Sequence, residues 1–184
     1  MKRAAYAFCA IVVLFAFHAR AQAPAPKPAP ELQKLQVLVG HWTYEGEDKG
    51  GLSGRPGKFT GDYTGRMILG GFFFQDESVE KGPGGEMRSL DIYRYDPENK
   101  DFPFNQYLTD GSASSGTLTV SGNTFKWESP VVVKGQKYLV RDTFLYDPVS
   151  QSFAGKAEIS ADGKTWRLWY EAKYTKVNPV PKKK

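Results

Sequence analysis

The sequence predicts an all-β domain: a single antiparallel up-and-down β-barrel of about ten strands, preceded by a short N-terminal helical turn. Aromatic residues make up 14% of the 184 residues, with 19 glycines and 12 prolines. Alternating runs recur at the interval of roughly 8 to 12 residues typical of sandwiches and barrels. Tight turns such as Asp110-Gly111 and Asp162-Gly163 leave no room for crossover helices, so neighbouring strands should pair antiparallel. A meander this long either splits or closes, and we predict closure because it removes exposed edges.

Two eight-residue segments share a turn pattern and predict equivalent hairpins. Residues 95–102 (YDPENKDF) and 146–153 (YDPVSQSF) place Asp and then Pro where a type I turn prefers them, between aromatic residues that can pair across a hairpin. Together with the other turns, they predict strands near residues 39–47, 57–68, 71–80, 87–95, 102–109, 114–120, 123–129, 136–146, 151–159 and 165–176.

Residues 1–21 have the pattern of a cleavable signal peptide. Lys2 and Arg3 precede an apolar stretch over residues 4–17, and Ala19-Arg20-Ala21 supplies the A-x-A cleavage pattern. The stretch is shorter than the roughly 18 residues of a membrane-spanning helix. We therefore expect an exported protein, periplasmic or extracellular, with no transmembrane segment after cleavage and an N-terminus at Gln22. Mass spectrometry of the exported protein tests this, and a retained Met1 would contradict it.

Three further parts follow the signal peptide. Residues 22–30 (QAPAPKPAP) form a Pro/Ala-rich linker, residues 31–178 the barrel domain, and residues 179–184 a basic tail. Cleavage removes three basic residues and lowers the net charge from +5 to +2, so nucleic acid is not an expected partner. It also removes Cys9, the single cysteine, and leaves no disulfide partner.

A short helical turn followed by Gly40-His41-Trp42 on the first strand resembles the lipocalin and fatty-acid-binding superfamily. The segments QVLVGHWTYEGE, RMILGGFFFQDES, IYRYDPENK, SGTLTVSGNTFKWES and DGKTWRLWYEAKYTKV are similar, in this order, to a bacterial family catalogued as domain of unknown function fifteen seventy-nine. The resemblance covers roughly residues 32–177. It implies a closed lipocalin-like barrel related to nitrobindins, and it implies no activity and no functional residues.

Histidine chemistry is limited because His41 is the only histidine that remains after cleavage. Zinc sites need three or four Cys, His or carboxylate ligands, and haem needs a strong axial ligand. If Trp42 points inward, strand alternation turns His41 outward. We therefore expect no metal site and no cofactor, haem included, and no Ser-His-Asp catalysis.

Several charged residues lie amid alternating strands. The carboxylates are Asp76, Glu77, Glu80, Asp91, Asp142 and Glu171. Two inward carboxylates could support acid–base chemistry, but strand carboxylates are usually solvated, and solvated positions are the expectation here. Arg141 with Asp142, and Arg88 with Asp91, are expected to form structural pairs.

The candidate ligand-lining residues are aromatic: Trp42, Tyr44, Phe125, Trp127, Trp166 and Tyr170. Alternation places Trp166, Leu168 and Tyr170 on one face of the last strand. The leading hypothesis is a non-enzymatic barrel that binds a small, mostly apolar molecule. Two alternatives remain, because small barrels can be filled by their own side chains: a filled barrel acting as an envelope interaction module, and a hydrolase or isomerase using inward Asp, Tyr or Arg. Catalytic residues are not identified by the sequence.

Overall fold

The computed structural model describes residues 26–52 and 55–177, which form a closed barrel of ten antiparallel strands. Each strand pairs with its neighbours in sequence, and β1 closes the barrel against β10. The strands are β1 (Gly40–Asp48), β2 (Gly57–Ile68), β3 (Phe73–Gly82), β4 (Gly85–Tyr93), β5 (Phe102–Leu108), β6 (Ala113–Ser121), β7 (Thr124–Val133), β8 (Gln136–Asp147), β9 (Ser152–Ser160) and β10 (Arg167–Lys176). The predicted fold class is confirmed, with strand bounds that differ by at most a few residues.

The signal peptide and the basic tail lie outside the described residues, as does the linker before residue 26. In the part of the chain that the structure describes, none of the helices has the length and apolar character needed to cross a membrane.

The predicted N-terminal helical turn is a 3-10 helix over Pro30–Leu38. Leu32, Leu35 and Leu38 are its buried residues, and their spacing of three places them on one side of a helix with three residues per turn. The helix contacts β2 and β3, and the carbonyl of Leu38 accepts a hydrogen bond from Nε1 of Trp42 at 3.2 Å. The helix therefore plugs the barrel end at which β1 begins. A second, shorter 3-10 turn, Leu69–Gly71, joins β2 to β3.

The two Asp-Pro hairpins are equivalent, as the sequence predicts. Oδ1 of Asp96 accepts a hydrogen bond from the backbone N–H of Glu98 at 3.0 Å, and Oδ1 of Asp147 accepts one from Val149 at 2.9 Å. Both carboxylates fix the turn two residues ahead of themselves, which is the usual role of Asp in such turns. Both hairpins lie at the plugged end of the barrel.

Large aromatic rings fit inside the barrel because glycines face them on neighbouring strands. A Cβ at Gly61 would collide with the ring of Tyr44, and one at Gly155 would collide with Phe144. The end next to the 3-10 helix is filled by buried side chains: Phe74, Phe102, Leu118, Phe125 and Phe153. The barrel is thus packed at one end, and its remaining interior holds a cavity.

Candidate functional site

A cavity of about 280 Å³ lies in the barrel interior. Leu38, Trp42 and Phe153 line its floor beside the plugged end, whereas Glu80 and Trp169 line it toward the opposite end. The remaining lining residues are Tyr44, Tyr63, Asp76, Ser78, Ser89, Asp91, Tyr93, Phe104, Gln106, Trp127, Ser129, Val131, Val140, Asp142, Phe144, Tyr170 and Tyr174. The wall is therefore both aromatic and acidic.

Four of the six sequence-predicted aromatic residues line this cavity: Trp42, Tyr44, Trp127 and Tyr170. The side chain of Phe125 also faces inward, but it is buried in the packed end, where its ring meets Phe153 edge-on at 5.1 Å between centroids. It supports the floor and does not line the cavity.

The sequence prediction for Trp166 is corrected, because this side chain does not line the cavity. The register between β9 and β10 shifts between Leu168 and Tyr170. Such a bulge exchanges the inward and outward faces of the residues before it, so Trp166 does not share the inward face of Tyr170. The Arg141 guanidinium lies 4.0 Å from the centre of the Trp166 ring. Trp169, which the shift turns inward, lines the cavity instead and donates from Nε1 to Oδ2 of Asp48 at 3.3 Å.

Two buried aspartates form a carboxyl pair on one wall. Asp76 of β3 and Asp91 of β4 are directly opposed in the strand register and are only 6% and 5% exposed. The Ser89 hydroxyl donates to Oδ2 of Asp91 at 3.2 Å. Oδ1 of Asp91, in contrast, is buried and has no partner within hydrogen-bond geometry among the described residues, although Asp76 and Gln106 lie near enough to its carboxyl group to lower its pKa by hydrogen bonding. An acceptor left unpaired in this way costs free energy, so such atoms in native structures need a reason.

Burial raises the pKa of both carboxyl groups. The pKa of Asp91 rises to about 6, and that of Asp76 rises well above its usual range because it is buried and lies beside the charge of Asp91. Two adjacent carboxyl groups resist ionising together. The two carboxyl groups therefore lose their protons as a coupled pair and not independently.

Asp142 of β8 lines the opposite wall, since β8 is five strands from β3 around the barrel. Burial raises its pKa to about 7, and the hydrogen bond from the Tyr170 hydroxyl, at 3.4 Å to Oδ1, acts in the other direction. The pKa of Tyr170 is itself raised well above its usual value by burial and by the charge of Asp142. Tyr170 therefore remains a hydrogen-bond donor at neutral pH.

The expectation of solvated carboxylates is wrong for four residues: Asp76, Glu80, Asp91 and Asp142 line the cavity. Glu77 and Glu171 are exposed, as expected.

The expected arginine pairs are wrong as well, because each would join residues on opposite strand faces. Nε of Arg141 instead pairs with Oε2 of Glu158 at 2.8 Å, and Arg88 pairs with Glu86. Among residues 26–52 and 55–177, no Arg, Lys or His lines the cavity. Its lining is therefore acidic without a compensating base.

The single histidine of the described residues faces away from the interior. His41 is exposed, with Nε2 at 3.1 Å from Oδ1 of Asp62 on the outer surface, so it offers no axial ligand to the cavity. Within the described part of the chain, no group of three or more His, Cys, Asp or Glu residues could hold a metal ion.

The family model described as "Protein of unknown function (DUF1579)" matches residues 27–176, which include every strand of the barrel. The chain belongs to the DUF1579 family. This DUF1579 barrel is similar to the crystal structure of Rv2717c from M. tuberculosis, with a TM-score of 0.59 and 15% sequence identity over 83% of this chain and 100% of that one. A likeness this distant in sequence shows a shared fold alone.

A de novo designed fluorescence-activating β-barrel is also similar to the DUF1579 barrel, with a TM-score of 0.38 and 11% identity over 77% of this chain and 95% of the design. No curated protein matches the sequence.

The hydrogen bond between Tyr170 and Asp142 gives a prediction for the DUF1579 barrel. The Tyr170→Phe substitution keeps the ring and removes the donor, so the pKa of Asp142 should rise above about 7. A ¹³C NMR titration of the aspartate carboxyl signals measures this shift. The control is a Tyr138→Phe variant. Tyr138 lies on the same strand as Asp142 but does not line the cavity, so this variant should leave the Asp142 titration unchanged. An unchanged or lowered Asp142 pKa in the Tyr170→Phe variant would contradict the assignment.

Proposed function

We propose that this protein binds a small molecule inside its barrel and does so outside the cytoplasm. The observation that carries the proposal is the cavity of about 280 Å³, which combines aromatic walls with convergent polar groups. Ligand sites generally have this composition, and their volumes run from roughly 300 to 1,000 Å³. The ligand is accordingly small. The signal-peptide pattern of residues 1–21 supports the location.

The sequence suggests a mostly apolar ligand, but the polar groups of the cavity favour a more polar one. A mostly apolar molecule would leave the carboxyl groups of Asp76, Asp91 and Asp142 without partners, and removing them from water without compensation is costly. A ligand with an apolar body and at least one hydrogen-bond donor matches the wall better. The alternative of a filled barrel that acts as an interaction module does not account for a cavity lined by carboxyl groups.

A titration of intrinsic fluorescence tests the proposal. Trp42, Trp127 and Trp169 line the cavity, so a bound ligand should change their emission. A library of small amines, alcohols and acids with apolar bodies should include compounds that give saturable changes. The Ser129→Leu substitution places a larger side chain in the cavity and should abolish them.

The matched control is Ser115→Leu, which adds the same side chain at an exposed position on β6. It should leave the titrations unchanged. If no compound gives a saturable change in the folded protein, the proposed function is wrong. Equal binding by the Ser129→Leu variant would place the ligand outside the barrel and would also contradict it.

One observation favours a second candidate, acid–base catalysis. Asp142, with its pKa raised to about 7 by burial, lies beside a protonated tyrosine, and a general acid or base works best when its pKa is near the operating pH. To test this candidate, each binding compound is incubated separately with the wild type and with an Asp142→Asn variant. NMR then follows whether the compound is converted. Conversion by the wild type alone would support an isomerase or hydrolase, whereas unchanged compounds would leave binding as the function.

A further inference from the structure

We propose that the ligand is a protonated amine, with its ammonium group against the Asp91 carboxyl and its apolar part on the aromatic wall. This inference rests on the proposed function and specifies the ligand's chemical class. Three independent features of the cavity carry it: its charge, one unpaired acceptor and its aromatic faces.

The charge of the lining has one sign only. Asp76, Glu80, Asp91 and Asp142 are its ionisable acids, and no basic side chain from residues 26–52 or 55–177 reaches it. A carboxylate ligand would face like charges in a poorly solvated space, which is strongly unfavourable. A cation would supply the charge that the lining lacks.

The unpaired acceptor points to a ligand with an N–H group. Oδ1 of Asp91 is buried beside the cavity and has no partner within hydrogen-bond geometry among the described residues, while Oδ2 is already satisfied by Ser89. An ammonium group has N–H donors and a positive charge, and hydrogen bonds between ionised partners are the stronger kind. A quaternary ammonium supplies the charge without the donor.

The aromatic faces suit the remainder of the ligand. Tyr93, whose hydroxyl accepts a hydrogen bond from Nε1 of Trp127 at 3.1 Å, lines the cavity together with Trp127 and Phe104. Tyrosine and tryptophan faces attract cations, more so where water is excluded. The same rings bury hydrocarbon, so an arylalkylamine fits both properties.

Binding should depend on pH, because the amine pairs with the ionised carboxyl group. Acid raises the protonated fraction of Asp91, whose pKa lies at about 6, and a protonated carboxyl group loses its charge attraction for a cation. The other groups acting on these carboxyls are not cationic: they are Asp76, Ser89 and Gln106 at Asp91, and Tyr170 at Asp142. Affinity should therefore fall about tenfold between pH 8 and pH 5, because a group with a pKa near 6 is ionised in roughly one molecule in ten at pH 5.

Calorimetry with three matched probes tests the inference: phenethylamine, its neutral analogue phenethyl alcohol, and the trimethylated quaternary ammonium. At pH 8 we expect phenethylamine to bind at least tenfold more tightly than the other two. Near pH 6 part of the Asp91 carboxyl is protonated, so binding of phenethylamine should release protons. Calorimetry in buffers of different ionisation enthalpy measures this release. The Asp91→Asn variant should bind phenethylamine at least tenfold more weakly and should bind the alcohol unchanged.

Glu77→Gln is the matched control, because Glu77 follows Asp76 on β3 but is exposed and pairs with Arg66 on the surface. It should bind like the wild type. If Asp91→Asn does not fold, the pH series and the comparison of the three probes on the wild type apply the same test. Equal affinity for the amine and the alcohol, without pH dependence, would overturn the amine inference and leave the proposed function intact. The inference also fails if neither probe binds while another library compound does.

Discussion

Raising the pH from about 5 to about 8 is expected to lower the free energy of unfolding by several kcal/mol. The pKa of Asp142 is raised to about 7 and that of Asp91 to about 6, whereas both ionise near pH 3.9 in the unfolded chain. Between these values only the folded state holds the protons, so this contribution is complete below about pH 4 and is lost as the pH rises through the folded pKa values. Between pH 5 and the folded pKa of about 7, the loss from Asp142 is roughly 3 kcal/mol, at about 1.36 kcal/mol per pH unit.

Urea denaturation at a series of pH values measures this loss. The Asp142→Asn variant cannot ionise at that position, so its stability should vary less with pH by roughly 3 kcal/mol, and it should be more stable than the wild type at pH 8. Surface carboxylates with lowered pKa values, such as Asp162 at about 2, lose their contribution only below about pH 4 and do not affect this range. A wild type equally stable at pH 5 and pH 8 would contradict the assignment.

The Trp42→Ala substitution is expected to lower the free energy of unfolding by about 3 to 5 kcal/mol, the usual cost of truncating a large buried aromatic residue. Trp42 is 1% exposed, its ring lies 5.3 Å from that of Phe153, and its Nε1 holds the carbonyl of Leu38. The substitution therefore leaves a void in the floor and removes a hydrogen bond that ties the end of the 3-10 helix to β1.

Trp166→Ala is the matched control for this prediction. Trp166 stacks with Arg141 and does not line the cavity, and an exposed cation–π contact contributes only about 0.5 to 1 kcal/mol. Thermal and chemical denaturation of both variants compares them directly. Similar losses for the two substitutions would contradict the placement of these tryptophans.

The strands and their reversals could be predicted because their causes are local. Closure pairs β1 with the distant β10 and was predictable only from the general advantage of removing exposed edges. Alternation sets which residues face inward, and the Asp-Pro turns set where strands reverse, as Asp96 and Asp147 show. The three leucines of the N-terminal segment indicated a helix by spacing alone. Its place as a plug depends on contacts with distant strands, which no local pattern contains.

Trp166 shows where alternation fails. The bulge between Leu168 and Tyr170 is one residue of irregularity in β10, and a single inserted residue exchanges the two faces of a strand. The sequence around it, KTWRLWYEAKYTK, offers aromatic residues in both phases and so does not specify which one faces inward. Trp169 was missed for the same reason.

The inward carboxyl groups had a signal that the sequence interpretation did not use. Asp76 shares its strand face with Phe74, and Asp91 shares its face with Tyr93. The Gly82-Pro83-Gly84-Gly85 turn also implies the register that opposes the two aspartates. The general preference of carboxylates for solvent outweighed this signal. The preference is overridden here at a cost in stability, and groups with pKa values shifted in this way concentrate at functional sites.

The most direct test of the central claim, that a small molecule occupies the barrel interior, is a crystal structure of the protein grown at pH 8 with a bromine-labelled phenethylamine. We expect the anomalous bromine signal inside the cavity, against the aromatic wall, and the nitrogen within about 3 Å of the Asp91 carboxyl. An interior closed by the protein's own side chains, with bromine only on the outer surface, would contradict the account.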